Sequence, residues 1–585
     1  MIQINYNCRR FGVILLFLSK LRNSYHFYVA VNFALCFIKY YYYYIIINFG
    51  ISSGYACDSS KMDDTAATTV TNEPEPVSLL ITSSCTNDRH KYKRILSQVC
   101  AMVAQSLLML NLGMIISVPT IVIGALHNTK EDLTLDDEQS SWIGSIMFLC
   151  QPLGCILSGC LQGVLGRKRS MLLVNLPHLA GWYLLYSAGS PLMLTIASAL
   201  MGIGVGFLEA PTMAYIGEIG EPNIRGILST FATSVIVLGH LLELFLGYMF
   251  SWRMTMLVSG LVPMAAIVAI SLIPESPIWL MTKGRRDEAL SSLRWLRGWV
   301  SAEEVSEEFH ALEVYCQESK NEFKSFLEAK IRKSAVYNRV PDSEFGTQIK
   351  PSIVNVIRDF LRPGILIPLR LIISYFFFFH AASLTGMRPY MLEVFTQLEV
   401  PLTPKKLTVM SGVLQGTGAI ACICLVKPVG KRALSLVSMS SCAMCCLSLG
   451  IYTYAITHQW SSAPMIPLLL FCILYFSMNL GISAIPWLLM SELFPTRGRG
   501  VASGLCAAIF YIIAFIVSKT WLTLQSSLGL HGCFLFYGII AVIGIVYVFI
   551  CLPQTEGKTL AEIEKDFAKK NGRQVKITKP TILIK

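Results

Sequence analysis

Charge is what this chain has least of. Asp, Glu, Lys and Arg supply 14% of its 585 residues, where soluble globular proteins carry about 25%. Apolar residues supply 54%, and mean hydropathy is +0.56. Such a chain cannot be surrounded by water alone, so lipid must cover much of it. Other shortages narrow the function. No Cys/His spacing fits a zinc site, and no glycine-rich phosphate loop or nucleophile–base signature is present. No cofactor is implied, an enzyme is not expected, and ATP does not drive whatever the chain does. The 18 cysteines lie mostly in apolar runs, as at Cys422, Cys424, Cys442, Cys445 and Cys446. They read as small packing residues rather than a disulfide framework.

What is present is a series of long apolar runs. A helix crosses the hydrocarbon core in about 20 residues. Twelve candidate spans follow residue 95, near 96–123, 141–164, 170–188, 191–216, 227–250, 254–273, 364–395, 406–426, 433–457, 464–490, 501–523 and 531–552. In lipid the backbone must satisfy its own hydrogen bonds. The runs are too long, and alternate too little, for strands, so these are helices. The net charge of +12 is no sign of nucleic acid, because no basic, aromatic-bearing folded domain accompanies it. Positive clusters instead fall in alternate loops: Arg89–Arg94, Arg167–Arg169, Lys283–Arg286, Lys427–Arg432, Arg497–Arg499 and the tail. The intervening loops are short or acidic, as at Glu131, Asp132, Asp136, Asp137 and Glu138. By the positive-inside rule both ends of the twelve-span core face the cytoplasm, as does the 274–363 loop.

Residues 1–95 form an N-terminal extension outside this pattern. Tyr40–Tyr44 is an unbroken tyrosine run, and Phe, Tyr, Asn, Ile and Lys dominate residues 1–50. A thirteenth span near 27–50 and a cleaved targeting segment are two readings. The preferred one is a start of translation at Met62. Residues 58–88 are polar, rich in Thr, Ser and Asp, and read as disordered.

The spans repeat. GRKR at 166–169 returns as GKR at 430–432. EIGEPNIRG, with Glu218 seven residues before Arg225, returns as ELFPTRGRG, with Glu492 seven before Arg499. PESP at 274–277 returns as PQTEG at 553–557. The echoes keep their order about 270 residues apart. Two six-helix halves, 96–273 and 364–552, follow, joined by the linker 274–363 and ended by the tail 553–585. Parallel halves of this kind hold a substrate near the midplane between them.

GRKRS, GEIGEPNIRG, PESPIWL, PWLLMSELFPTRGRG and PQTEGKTLAEIE together resemble the sugar porter family of the major facilitator superfamily. LTLDDEQSSWIGSIM at 133–147 and ALSSLRWLRG at 289–298 are similar to the insect facilitated trehalose transporters. The resemblance covers about 95–565. It implies a facilitative carrier for a small-molecule solute, a sugar such as trehalose or a hexose, in the plasma membrane. It also implies a gate at the cytoplasmic span ends, where Glu218, Arg225, Glu275, Glu492 and Arg499 form carboxylate–guanidinium pairs. The turns Gly166–Arg167–Lys168 and Gly430–Lys431–Arg432 flank that gate. Helical stretches at 287–297 and 302–318 resemble the family's cytoplasmic latch. Three departures weaken the clamps: Gly163 and Lys427 stand where the family carries an acid, and Gln554 replaces a Glu.

The resemblance also places the substrate site. Trp487, following Pro486 in a broken tenth span, takes the family's sugar-stacking position. The amide positions of the seventh span fall at Ala382, Ser383 and Arg388. Thr233, Gln415 and Asn479 take polar positions in the fifth, eighth and tenth spans, while Phe510, Tyr511 and Ala514 replace polar or indole groups in the eleventh. Sugar hydroxyls need partners that both donate and accept. Several are gone, and a fixed cation has arrived. A charge inside a span faces a cavity or a partner. Glu209, Glu243 and Glu393 are candidate partners, with one from another span favoured. Two readings of Arg388 stand: it faces the cavity and selects an anionic or strongly accepting solute, or it forms a structural Arg–Glu pair or reaches water near the outer mouth. The first span carries no carboxylate, Asn111 being its main polar residue, which favours facilitated diffusion over proton coupling. A carrier of another organic solute and a non-transporting sensor of the same fold are the alternatives to a sugar carrier.

Overall fold

Apolar runs bounded by capping residues become helices throughout the computed structural model, which describes residues 91–129, 133–317, 363–458, 463–494 and 499–553. The N-terminal extension, the rest of the 274–363 linker and the tail with Gln554 lie outside the described residues. So do the side chains of Arg225, Thr233, Glu492 and Arg499.

In chain order the helices are α1 (Lys91–Leu126), α2 (Asp137–Leu165), α3 (Arg167–Leu173), α4 (Asn175–Tyr186), α5 (Pro191–Ile219), α6 (Pro222–Met249), α7 (Trp252–Ser259) and α8 (Leu261–Leu272). The linker contributes α9 (Pro277–Thr282), α10 (Arg286–Leu296) and α11 (306–317). The second set is α12 (Pro363–Ala382), a 3-10 segment (Thr385–Tyr390), α13 (Met391–Gln397), α14 (Pro404–Val429), α15 (Lys431–Thr457), α16 (Met465–Leu480), α17 (Ile485–Leu493) and α18 (Arg499–Cys551). Among the described residues nine helices are long and apolar enough to cross a membrane.

Local chemistry sets the boundaries. Asp136 starts α2 with a reciprocal capping box, accepting from the Gln139 amide while Gln139 accepts from its own. Ser190 caps α5 ahead of Pro191, and proline at the first position needs no amide partner. The runs expected at 170–188 and 254–273 are each broken, into α3 and α4 and into α7 and α8. The eleventh and twelfth runs instead merge in α18, whose 53 residues extend about 80 Å at 1.5 Å each. That is more than two hydrocarbon thicknesses. Gly529, at φ 68° and ψ 169°, is the break within it.

The repeat read from sequence reappears in packing. In the first set α1 packs on α6 and α2 on α5; in the second α12 packs on α18 and α14 on α16. The sets meet reciprocally, α2 against α18 and α6 against α14. Between helices in lipid there is no hydrophobic drive, so association rests on close approach at small residues. A Cβ added at Gly113 would strike the Ile236 carbonyl, and one at Gly239 the Leu110 carbonyl, so α1 and α6 touch backbone to backbone. Gly154 and Gly206 do the same for α2 and α5, and Gly418 for α14 and α16. Large apolar side chains such as Leu153, Ile156, Leu272 and Ile550 point outward and remain exposed, a surface suited to acyl chains.

Candidate functional site

Three polar clusters interrupt this apolar bundle. The first lies at the end that carries the repeated motifs. The turn between α2 and α3 needs Gly166 at φ 95°, and the Glu275 carboxylate occupies the space a side chain there would fill. Glu275 accepts from the amides of Arg167 (2.9 Å) and Lys168 (3.0 Å). Arg167 reaches Glu218 at 2.7 Å, and the other Glu218 oxygen accepts from Ser276. The Trp279 indole donates to the Gly163 carbonyl at 3.2 Å, so a backbone group stands where the family's acid was expected. Glu218, Glu275, Gly166, Arg167 and Lys168 therefore converge. Among the described side chains the partner of Glu218 is Arg167, nearby in space. At the equivalent turn Gly430 takes φ 87°, and Arg432 donates to the Phe549 carbonyl and lies over its ring at 5.3 Å.

Sequence reasoning missed the larger part of this network. Glu221 accepts from Arg94 (2.5 Å) and Gln98 (2.7 Å). Arg297 forms a bidentate pair with Glu308, at 2.5 and 2.9 Å, and lies 3.8 Å from Glu221. Burial works most strongly against the charge on Arg297, yet the Glu308 hydrogen bond together with the Glu308 and Glu221 charges outweighs it and lifts the guanidinium above its ordinary range. Burial likewise opposes the Glu308 charge, and Arg297 holds that carboxyl below the usual range. The linker has a small core of its own, with Trp279, Leu293, Val305 and Phe309 buried together. The signal was in the RWLRG run, whose Arg297 is bounded by Gly298 at φ 92° against the Lys93 backbone. Among the described residues, Arg94–Glu308 and Arg297–Glu221 join the first set to the linker, while Arg94–Glu221, Arg167–Glu218 and Arg297–Glu308 lie within one or the other.

The second cluster lies at the centre. The seventh apolar run breaks after α12: Leu384 takes left-handed backbone, φ 47° and ψ 46°, and the chain continues as the 3-10 segment. A branched side chain disfavours that conformation. Arg388 sits in this segment and donates to the Met478 sulfur at 3.0 Å. Its Nε is buried without a partner, and no carboxylate pairs with it among the described residues. The three expected candidates are engaged elsewhere: Glu209 with Tyr511, Glu243 with Ser259 at 2.6 Å, and Glu393 with His127. Ser383 bonds Thr385 at 2.9 Å, and Thr385 bonds His380 at 3.1 Å. Gln415 lies 3.4 Å from His240, which bonds Ser117 at 2.6 Å. The amide nitrogen of Asn479 is buried and unpartnered. Trp487 stands edge-on to Phe510 and tilted to Phe376, both with centroids at 5.1 Å. Asn111 is structural, bonded to Trp182 and His178 at 2.9 Å each.

The third cluster closes the opposite end. His127, just past α1, bonds Glu393 of α13 at 3.1 Å and Asp137 of α2 at 2.9 Å. The Glu393 hydrogen bond raises the imidazole above its ordinary value against the pull of burial, and Asp137 adds to the rise. Thr120 donates to the Arg388 carbonyl at 3.0 Å, and Ser141 to the Lys519 carbonyl at 2.9 Å. Pro389 packs against Gly144. These contacts join the two helix sets at this end.

A fold of two matched helix sets, joined at one end around a polar centre, is the arrangement of a solute carrier. The family model described as sugar (and other) transporter matches residues 97–340 and 359–567, and the chain belongs to that family. It is a multi-pass integral membrane carrier, not an enzyme. Among curated relatives, the facilitated trehalose transporter Tret1 of Polypedilum vanderplanki is 27% identical over 474 residues, covering 80% of this chain and 88% of that protein. Tret1 of Culex quinquefasciatus is 28% identical, covering 73% and 77%. The inward open xylose transporter XylE from E. coli superposes with a TM-score of 0.59 at 20% identity, covering 81% of this chain and 99% of that one. The proton:xylose symporter XylE bound to 6-bromo-6-deoxy-D-glucose gives 0.58 at 19%, covering 81% and 100%. At that identity the likeness carries the major facilitator fold.

Proposed function

We propose that this chain moves a sugar, trehalose or a hexose, across the plasma membrane by facilitated diffusion through alternating access. Family membership carries the reading, and the facilitated trehalose transporters among its relatives support the substrate class. The bundle is read as twelve spans. Helices α3 with α4, α7 with α8, and α16 with α17 each make one broken span, α12 continues through the 3-10 segment into α13, and α18 makes two. Residues 96–273 and 364–552 are the halves; 274–363 is a cytoplasmic helical domain and 553–585 a cytoplasmic tail. The basic clusters at the motif end support a cytoplasmic orientation for it. The His127–Glu393 end then faces outward and is shut, the inward-facing state of the cycle.

Within this scheme Trp487, Ser383, Arg388, Gln415, Asn479, Thr233 and Tyr511 line the path between the halves. The bond from Tyr511 to Glu209 joins α18 to α5 and belongs to the same interface. Glu218, Arg225, Glu275, Glu492 and Arg499 act as the inner gate, which tightens when the outer end opens. A facilitative mode fits a first span whose interior carries no carboxylate.

Uptake of labelled trehalose and glucose into oocytes expressing the chain tests the reading. Saturable uptake that accelerates when unlabelled sugar is preloaded inside is the expected result. Surface protein that moves neither sugar contradicts it and favours a sensor of the same fold.

A further inference from the structure

Arg388 is a permanent cation in the middle of the bundle, and the protein has not neutralised it. A guanidinium cannot shed its proton. Arg388 is half-buried, with its Nε shielded from solvent; a cation drawn partly out of water without a counterion bears a desolvation cost, which is why such charges are normally paired. Here the described carboxylates that were within reason as partners are bonded to Tyr511, Ser259 and His127. What the guanidinium has instead is a thioether. Its Nε–H points at no acceptor.

The surroundings are matched to the same deficit. The Tyr475 hydroxyl, within electrostatic reach of Arg388, is buried with no partner. The Asn479 amide nitrogen, next in sequence to the Met478 that touches Arg388, is also buried and unpartnered. Both can donate. His380 and His240 lie within electrostatic reach of the guanidinium from two sides, and neither carries a negative charge. The surroundings of the guanidinium therefore offer hydrogen-bond donors and no paired carboxylate among the described residues, Glu209 and Glu243 being bonded to Tyr511 and Ser259.

We propose that Arg388 is the anchor of an anion subsite, and that the solute it takes is a sugar acid, a polyhydroxylated monocarboxylate of the aldonate or uronate type. This rests on the reading of the chain as a sugar-family carrier. One fixed cation among neutral partners balances one negative charge, which favours a carboxylate over a doubly charged phosphate. A carboxylate also matches the guanidinium fork in a bidentate pair. An aromatic wall adjoins the subsite: His380 lies against Phe510 at 4.5 Å, and Phe510 against Trp487 at 5.1 Å. That wall suits the C–H face of a sugar ring. The left-handed turn at Leu384 and the Thr120 bond to the Arg388 carbonyl hold the segment in place.

The test is uptake into liposomes containing the purified full chain, with labelled glucuronate, glucose and trehalose. Wild type, Arg388→Gln and Arg388→Lys are compared. Wild type is expected to carry glucuronate saturably, with gluconate competing. Unlabelled glucuronate is expected to inhibit at least tenfold more strongly than glucose. Arg388→Gln lowers glucuronate uptake at least tenfold more than it lowers neutral-sugar uptake, and Arg388→Lys restores part of the acid flux. Glucose or trehalose flux with glucuronate neither carried nor competing overturns the subsite and leaves the sugar carrier standing. Glucuronate flux equal in wild type and Arg388→Gln overturns it as well. Absence of flux for all three overturns both. Should Arg388→Gln fail to fold, the inhibition ratio in wild type decides the matter alone.

Discussion

The motif end of the first helix set and the centre of the second treat buried charge in opposite ways. At the motif end Arg167, Arg94 and Arg297 each meet a carboxylate within 2.7 Å, and Glu275 is held by backbone amides. The charges there are closed on one another. At the centre Arg388 meets sulfur. A charge answered within the protein stabilises a conformation. A half-buried charge without a counterion leaves attraction to be used by a solute, as differential binding to a central site requires.

The largest expected effect that sharpens this contrast is at Arg297, which is 8% exposed. Arg297→Ala strands Glu308 and loosens the linker helices from α1; it should destabilise the detergent-solubilised protein by about 3 kcal/mol. Thermal melting measures this, and an unchanged midpoint contradicts it. Arg167→Ala, at an arginine somewhat more open to water than Arg297, should lose about 2 kcal/mol by the same measurement.

A third effect is conformational. The His127 imidazole binds its proton more tightly when the outer end is closed, because Glu393 accepts its hydrogen bond, with burial opposing and Asp137 assisting. Protonation therefore favours closure. That contribution is fully present below His127's ordinary pKa of about 6.5 and is lost as pH rises through the raised value. Energy transfer between fluorophores at Asn128 and Gln397 should fall across that rise, and His127→Gln should flatten the response. A wild-type signal independent of pH removes His127 from the outer gate. The smallest effect is at the exposed pair of Arg285 and Glu288. Arg285→Ala should change stability by less than about 0.5 kcal/mol, and a loss as large as that of Arg297 would undo the distinction between buried and surface pairs.

Much of the fold was legible because membrane helices announce themselves. Long apolar runs and alternating loop charge depend only on local composition, and the repeated motifs marked two sets whose packing proves reciprocal. Helix breaks were less legible. Pro486 signals the interruption before α17, and Gly386 and Pro389 lie near the break in the seventh run, but neither singles out Leu384, between Ser383 and Thr385, as the left-handed residue. The partners of charges were least legible of all. Glu218 and Arg225 repeat in sequence, while the carboxylate of Glu218 turns to Arg167 from another turn of the chain. Glu393 was weighed as a partner for Arg388 by nearness in sequence, yet it turns to His127 of the first set. Such pairings arise only once helices have packed. The unusual feature of Arg388, by contrast, was visible at once as a cation in an apolar run; the structure adds that its carboxylate candidates are spoken for.

The most direct test of that contrast is the melting temperature of the empty Arg388→Gln protein against empty wild type, in detergent without sugars or organic acids. A half-buried cation with no carboxylate partner adds nothing to the stability of the empty carrier, so Arg388→Gln should melt at the same temperature or higher. A fall comparable to that of Arg297→Ala would mean that Arg388 is answered within the protein, and the central charge would then be structural rather than reserved for a solute.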